Sequence, residues 1–284
     1  MTLLLLRAGR LTVDLTPHAG GSIAAFRVDG ADILRPMAAA DVASGKGNNA
    51  AAYPLVPFSN RIANGRLGFG GEEFRLEPNW PGVRHPMHGH GWSAPWTVAR
   101  SDSRSAEIVC EHEGRGGWPF RYRARQSYRL EAQELVVGMS LENLESRVVP
   151  GGLGLHPFFV RDPDSELFFH ADTVWLADQE VLPTGRAVVP DAWDFSHGRR
   201  PDDVALDNCF DDWEGEASIV WPTRRLRLEL QAGEPFRHLV VYTPPGRPFF
   251  CVEPVSHANG AIGKTHIEPG ATIAGSISFK ISHL

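Results

Sequence analysis

Apolar residues recur at every second position in several separate stretches of this 284-residue chain. The pattern is present in residues 11–15, again in 226–230, and finally in 277–281. Successive side chains of a β-strand point to opposite faces, so a period of two predicts half-buried strands. No window carries a long helical stripe, and turn pairs such as Asp29-Gly30 and Asn64-Gly65 interrupt the pattern at short intervals. The sequence therefore predicts an all-β chain, folded as a large antiparallel β-sandwich or barrel.

The remaining apolar stretches extend this prediction. Further strands are predicted over residues 22–28, 106–112, 121–130, 135–141, 173–177, 218–221, 238–243 and 249–252. Two stretches, 38–91 and 178–212, are poor in alternation. We expect them to be long loops on one sandwich, because strand patterning of the same character resumes after each. The sequence thus predicts a single domain over residues 1–284, with its sites built on long loops.

Composition narrows the class of partner and the compartment. The formal net charge is −6 and neither sign forms long runs, which gives no electrostatic basis for binding nucleic acid or an anionic membrane. Three widely spaced cysteines fit neither a disulfide framework nor a zinc motif, and they favour a reducing compartment. The apolar run after Met1 is too short for a signal peptide, and no later run has membrane-spanning length. We expect a soluble, cytoplasmic protein.

The densest group of candidate site residues is Arg84–Trp92, which contains His85, His88 and His90 and is followed by Trp96. In an extended segment His88 and His90 share a face, which is compatible with a metal site. It is equally compatible with a sugar site, in which imidazoles bond hydroxyls and indoles stack on the ring. The segment looks like the first cupin motif, but no carboxylate follows to complete the ligands. A structural role in the loop is the simple alternative for each histidine.

Two further positions could supply acid–base chemistry. His156 follows a glycine-rich stretch and precedes Pro157, so the chain there is stiff and can approach a ligand closely. Glu253 ends an apolar strand, and burial would raise the pKa of its carboxyl group and improve it as a base. Asp207 is a weaker case of the same kind. Arg61 could clamp a sugar hydroxyl, although a loop salt bridge would explain it equally well.

Taken together, these segments resemble the aldose 1-epimerase (mutarotase) family. The matching segments, in the family's order, are 54–65 (PLVPFSNRIANG), His88-Gly89 with Trp96 behind it, 154–159 (GLHPFF), Leu206-Asp207 and 252–254 (VEP). They span most of the chain. The resemblance implies a galactose mutarotase-like β-supersandwich with one open cleft, no metal and no cofactor.

The resemblance also implies roles for these residues. Glu253 would be the base that removes the anomeric hydroxyl proton, and His156 the acid that protonates the ring oxygen. The substrate-binding residues would be Arg61, His88, Asp207, Asn60 and Trp96. The usual His-Gly-Gly is here His88-Gly89-His90, so His90 inherits no role. For this chemistry Glu253 must be ionised while His156 is protonated, and we expect a nearby carboxylate to raise the pKa of the histidine.

The same residues also fit other functions. Asp207 and Glu253 could act as the paired carboxylates of a glycosidase. Alternatively, the chain could bind carbohydrate without catalysis through Trp80, Trp92 and Trp96. A phosphorylated hexose would need extra cations in the cleft, for which Arg66, Arg84 and Arg247 are available. The expected partner in each case is a small sugar, bound by a monomer or a homodimer.

Overall fold

The computed structural model describes residues 3–284, so Met1 and Thr2 of the predicted domain lie outside the described residues. The strands are β1 (Leu4–Ala8), β2 (Leu11–Thr16), β3 (Ser22–Val28), β4 (Ala31–Asp32), β5 (Ala52–Pro54), β6 (Arg66–Phe69), β7 (Glu72–Arg75), β8 (Thr97–Ser101), β9 (Ser105–Glu113), β10 (Arg121–Leu130), β11 (Glu134–Asn143), β12 (Leu155–Val160), β13 (Glu166–Phe169), β14 (Thr173–Ala177), β15 (Pro183–Val188), β16 (Asp207–Asp211), β17 (Glu216–Trp221), β18 (Leu226–Ala232), β19 (His238–Tyr242), β20 (Phe249–Val255) and β21 (Thr272–His283).

Helices are few and short. They are α1 (Ala39–Ser44) and four 3₁₀ turns at Gly47–Asn49, Ala63–Gly65, Asp191–Trp193 and Ile262–Lys264. No helix in residues 3–284 is long and apolar enough to span a membrane. The three cysteines are buried and free.

The strands form two large antiparallel sheets and one small hairpin. The eleven-stranded sheet has the order β1-β2-β3-β5-β12-β20-β19-β16-β14-β15, with β4 paired to β3. The eight-stranded sheet has the order β13-β17-β18-β21-β11-β10-β9-β8, and β6 pairs with β7. The predicted all-β, antiparallel fold class is therefore confirmed.

Aromatic side chains join the two large sheets. Phe279 of β21, in the eight-stranded sheet, lies 6.4 Å from Phe26 and 6.1 Å from Phe159 of the eleven-stranded sheet, measured between ring centroids. Phe250 lies 5.9 Å from Phe159 in the same layer. All four rings are buried. This aromatic cluster forms part of the core between the sheets.

The middle of the eleven-stranded sheet is covered on both faces. In β20, Phe250 and Val252 belong to the core between the sheets, whereas Cys251 lies in a second apolar cluster on the opposite face. A strand buried on both faces reads as a continuous apolar run rather than as an alternating one. This explains why the alternation criterion missed β5, β12 and β16, and why β20 showed only as an apolar stretch.

The two predicted loop stretches contain more structure than expected. Residues 38–91 include α1 and strands β5, β6 and β7, and residues 178–212 include β15 and β16. In the second stretch, β15 is an edge strand whose side chains are intermediate or exposed throughout, so it has no buried apolar face. Both stretches also reach the cavity described below, in agreement with the expectation that sites lie there.

Replacing Phe279 by Ala tests the aromatic cluster between the sheets. Because the ring is buried and joins the two layers, we expect the free energy of unfolding to fall by about 3–5 kcal/mol. Val188→Ala, at a side chain that is 78% exposed, is the control and should change it by less than about 0.5 kcal/mol. Urea unfolding of both variants measures the difference. Similar stability of the two variants would contradict a core role for Phe279.

Candidate active site

A cavity of about 400 Å³ lies over the middle of the eleven-stranded sheet. Five strands that are neighbours in the sheet, β5, β12, β20, β19 and β16, supply its floor. The floor side chains are Tyr53, His156, Phe158, Phe249, Glu253, Val240, Tyr242 and Asp207. The loops of residues 38–91 supply Asn60, Arg61, Trp80 and His88 to its walls. The cavity thus collects all but one of the sequence-predicted site residues.

Strand register sets His156 opposite Glu253. On β12 and β20, Phe158 pairs with Cys251 and Gly154 pairs with Val255, and His156 and Glu253 lie midway between these two pairs. Antiparallel neighbours in register have closely spaced side chains on the same face. The Nε2 atom of His156 and the Oε1 atom of Glu253 are accordingly 3.3 Å apart.

Burial dominates the protonation of this pair. Glu253 is 2% exposed and His156 is 6% exposed. Burial, with a contribution from Asp207, raises the pKa of Glu253 well above its ordinary value. Burial, with contributions from His88 and Arg35, lowers the pKa of His156 well below its ordinary value. Loss of solvation penalises each charged form, so both shifts favour the neutral forms.

The expected elevation of the His156 pKa was therefore wrong. A carboxyl group does lie beside the imidazole, but burial of the ring lowers the pKa of His156, and burial of Glu253 raises the pKa of that carboxyl group and favours its uncharged form. The neutral pair and the ion pair nevertheless hold the same number of protons, and they differ only in which side chain carries one of them. Glu253 and His156 thus form a coupled pair with one transferable proton.

Arg61 and Asp207 lie beside this pair. The Nη1 atom of Arg61 is 3.8 Å from Oδ2 of Asp207. Burial raises the pKa of Asp207, and the Arg61 guanidinium partly counters that effect. Arg61 also acts to lower the pKa of Glu253. The guanidinium is held from behind by Asn60, whose Oδ1 accepts hydrogen bonds from the Arg61 backbone N–H (2.9 Å) and from Nη1 (3.4 Å).

Two reciprocal hydrogen bonds fix His88. Its backbone N–H donates to the Asn60 carbonyl (2.8 Å), and the Asn60 N–H donates to Nδ1 of its ring (3.2 Å). Both residues have positive φ, 61° for His88 and 55° for Asn60, a conformation that is uncommon outside glycine. Because Nδ1 accepts a hydrogen bond, the neutral ring carries its proton on Nε2. His88 therefore offers an N–H donor to the cavity.

The loop around His88 is packed tightly against its neighbours. At Gly89, where φ is +65°, a Cβ atom would lie 2.0 Å from the Val56 carbonyl oxygen, so only glycine fits. The Asn79 side chain donates to the carbonyls of Met87 (2.8 Å) and Gly89 (2.6 Å) and accepts from the Met87 N–H (2.8 Å). Asn79 was not predicted to support the site, because no local sequence motif distinguishes it.

Trp96 is the predicted site residue that does not line the cavity. Its indole is buried, packs beneath Gly21 and donates through Nε1 to the Gly91 carbonyl (2.9 Å). The prediction that it binds substrate was therefore wrong, because its indole is used to support the loop from below. Among the three tryptophans of the carbohydrate-binding alternative, only Trp80 lines the cavity.

His90 is also directed away from the cavity. Its Nδ1 lies 2.9 Å from the Tyr122 hydroxyl, and its ring centroid is 4.1 Å from that of His112. The sharing of one face by His88 and His90, on which the metal interpretation depended, is not observed. Instead the ligand atoms of His156, Cys251 and Glu253 lie close together. Burial raises the pKa of the Cys251 thiol and of Glu253, and the protonated forms are poor metal ligands.

Several lining residues were not among the predicted site residues, and three of them surround the His156 ring. Phe158 stacks on the His156 ring with centroids 4.4 Å apart and planes 7° apart, and Tyr53 lies 4.7 Å from the same ring. The Arg35 guanidinium lies 4.2 Å from the Phe158 centroid. Phe158 lies in the 154–159 motif but reads there as an ordinary core aromatic, as does Tyr53, and Arg35 lies outside every quoted motif.

Comparisons with known proteins identify the family and the fold. A sequence profile of the family described as Aldose 1-epimerase matches residues 2–280. The uncharacterized protein YphB of Escherichia coli K12 is 31% identical over 266 residues, which cover 91% of this chain and 89% of YphB. Galactose mutarotase of Mus musculus is 27% identical over 200 residues, which cover 63% and 55% of the two chains. A crystal structure of an Escherichia coli K12 protein matches with a TM-score of 0.91 and 30% identity, covering 100% of this chain and 99% of that one.

The His88 ring should remain neutral through the physiological range. Burial lowers its pKa to about 3, with a further contribution from Arg61, so protonation is expected only in strong acid. Nitrogen-15 NMR of the histidine rings should show a protonated Nε2 and an unprotonated Nδ1 from about pH 5 to 8. His283, which is exposed near Arg10, provides a solvent-exposed ring with which the nitrogen chemical shifts of His88 can be compared. An imidazolium signal from His88 near pH 6 would contradict the neutral state of the ring, and a neutral ring protonated on Nδ1 would contradict the assigned tautomer.

Proposed function

Since the chain belongs to the aldose 1-epimerase family, we propose that it interconverts the α and β anomers of a hexose by acid–base opening and reclosure of the ring. The observation that carries this proposal is the 3.3 Å separation of Glu253 and His156 within one cavity. A carboxylate and an imidazole are the two groups that the reaction needs, one for each oxygen of the hemiacetal.

The reaction proceeds in three steps. Glu253 takes the proton of the C1 hydroxyl while His156 gives a proton to the ring oxygen, and the bond between C1 and the ring oxygen breaks. The resulting aldehyde rotates about the bond between C1 and C2. His156 then takes back the proton from the released hydroxyl as Glu253 returns its proton to the carbonyl oxygen, and the ring closes on the other face.

The number of protons on the Glu253–His156 pair stays constant during the reaction, which suits a buried site. Ring opening moves one proton onto Glu253 and one away from His156, so the pair passes from its ionic form to its neutral form. Reclosure reverses the change, and the pair carries one transferable proton throughout. Burial stabilises the neutral form. The ionic form is helped by the Arg61 guanidinium, which acts to lower the pKa of Glu253.

The other lining groups suit the hydroxyls of the sugar. Arg61 supplies guanidinium donors and His88 supplies an Nε2–H donor. The half-buried Asp207 side chain supplies an acceptor. We assign them the positioning of the ring and the stabilisation of charge on its oxygens. Asn60 contributes by holding Arg61. A cytoplasmic location, a monomeric or homodimeric state and a single domain over 1–284 stay predictions.

Replacing Glu253 by Gln tests the reaction class. The amide keeps the shape of the side chain but cannot accept the hydroxyl proton, so we expect anomer exchange to fall by about 10²–10⁴-fold. Anomer-resolved NMR exchange on a panel of free hexoses measures it. Glu73→Gln, an exposed residue paired with Arg66, is the matched control and should keep full activity.

Three results would contradict the proposal, once hexose binding and the release of sugar from aryl glycosides are measured beside exchange. If wild-type protein binds hexoses without accelerating exchange, the chain is a carbohydrate-binding protein. If it releases sugar from aryl glycosides, Asp207 and Glu253 act as glycosidase carboxylates. If Glu253→Gln folds normally and retains exchange, the carboxylate is not the base.

The pH profile tests the one-proton pair. A second proton binds only below the lowered pKa of His156, and the last proton leaves only above the raised pKa of Glu253. We therefore expect a bell-shaped profile of kcat/KM, corrected for spontaneous exchange, whose acidic limb lies below the ordinary histidine value of 6.5. His156→Gln should abolish that limb together with most of the activity. An acidic limb centred above pH 6.5 would show that the imidazole is solvated or ion-paired instead.

A further inference from the structure

The charges of the side chains that line the cavity do not sum to zero. The charged side chains are Arg35, Arg61, Arg247, Asp207 and Glu253. Arg61 lies beside Asp207, and the shared proton leaves the Glu253–His156 pair without net charge. Within the described part of the chain, neither Arg35 nor Arg247 lies within salt-bridge distance of a carboxylate. Two arginines thus give this cavity a positive charge in a protein whose formal net charge is −6.

Arg35 is held in a position that favours an anion. Its guanidinium lies 4.2 Å from the Phe158 ring centroid and 4.7 Å from that of Phe249. Its Nη2 donates to the Ala50 carbonyl (2.8 Å), which orients the group and leaves other N–H donors for a ligand. The side chain is partly buried, and burial lowers its pKa. A partly buried cation without a counter-ion is costly, so an anionic ligand would be stabilised there.

Arg247 reaches the same cavity from an anchored loop. The loop that joins β19 and β20 is held by Arg161, whose backbone N–H donates to the Pro248 carbonyl (3.0 Å) and whose Nη1 donates to the Pro244 carbonyl (2.9 Å). Arg161 is itself paired with Asp202 at 2.7 Å. Arg247 is exposed but lines the cavity beside Phe249 and Tyr242. Its loop is therefore fixed, while its side chain is free to meet a ligand.

The other two arginines proposed from the sequence for a phosphate do not line the cavity. Arg66 pairs with Glu73 at 2.6 Å, and Arg84 donates to the Asn64 side chain (2.8 Å) and approaches Glu180 at 3.5 Å. A neutral hexose can be held by Arg61, His88 and Asp207 alone. Arg35 and Arg247 are thus additional to what a neutral sugar needs.

We propose that the preferred substrate is a hexose bearing an anionic oxyacid group, a phosphate or a carboxylate, which Arg35 and Arg247 bind. This inference rests on the proposed function, because it names the substrate class of the same cavity. The anion would also affect the chemistry. Arg35 acts against the protonated form of His156, and a bound anion would offset that charge. The imidazolium that donates to the ring oxygen would then form more readily.

The experiment compares three classes of sugar with wild-type protein. The probes are neutral hexoses, hexose 6-phosphates and hexuronates, each followed by anomer-resolved NMR exchange. We expect kcat/KM for one anionic class to exceed that for the neutral hexoses at least tenfold. Whether the phosphates or the carboxylates are preferred identifies the source of the anion. The preference should weaken as salt is raised, because the interaction is charged and partly exposed.

Arginine variants assign the preference to these two side chains. Arg247→Met should reduce the ratio of anionic to neutral kcat/KM by about 10- to 100-fold, as expected for a charge-assisted hydrogen bond. Arg35→Lys keeps the charge but loses the planar group, and it should reduce the ratio as well. Arg66→Met, at a surface pair away from the cavity, is the control and should leave the ratio unchanged. Thermal melting confirms that each variant is folded. If Arg35→Lys does not fold, Arg247→Met alone still tests the proposal.

The two proposals fail in different ways. Exchange of neutral hexoses without any anionic preference would overturn the substrate class and leave the proposed function intact. An anionic preference that Arg247→Met does not reduce would overturn the assignment to these arginines. The absence of exchange for every sugar would overturn the proposed function itself.

Discussion

The cross-strand contact between His156 and Glu253 is the interaction on which the candidate site depends. Two ionisable groups are buried side by side in the middle of a sheet, where charged groups with imperfect solvation are destabilising. Burial is tolerable because the two groups share one transferable proton, so the pair has no net charge in either of its forms. The pair needs no counter-ion of its own.

Strands and loops contribute differently to the precision of this arrangement. Neighbouring strands hold Tyr53, His156, Glu253 and Val240 in one row, because the registers of β5, β12, β20 and β19 align them. Strand register is a rigid constraint, since a slip by one residue would turn each side chain to the other face. The loop residues lack that constraint. Positive φ values at His88 and Asn60, fixed by reciprocal hydrogen bonds, take its place.

The sequence predicted the fold better than it predicted the environment of the site. Strands β10 and β14 were predicted with their observed bounds, and the alternation at residues 226–230 falls within β18. Strand β12 contains His156, yet it is buried on both faces and shows no alternation, so the residue was found from its motif and the strand was not. The predicted direction of the His156 pKa shift was wrong. A neighbouring carboxylate can be inferred from sequence, but the burial of the imidazole and of that carboxyl group cannot. Trp96 was misplaced for a similar reason, since an indole beside a histidine motif can stack on a ligand or support the loop.

The depth of the pair also constrains the reactions that the cavity can support. Ring opening and reclosure transfer protons only between the sugar and the two side chains, so no proton or water has to be exchanged with solvent during a cycle. A glycosidase must admit a water molecule as a reactant beside its carboxylates. His156 stacks on Phe158 and lies close to Tyr53, and its Nδ1 has no hydrogen-bond partner among the described residues. A pair enclosed by aromatic rings in this way is better suited to moving one proton back and forth than to activating water.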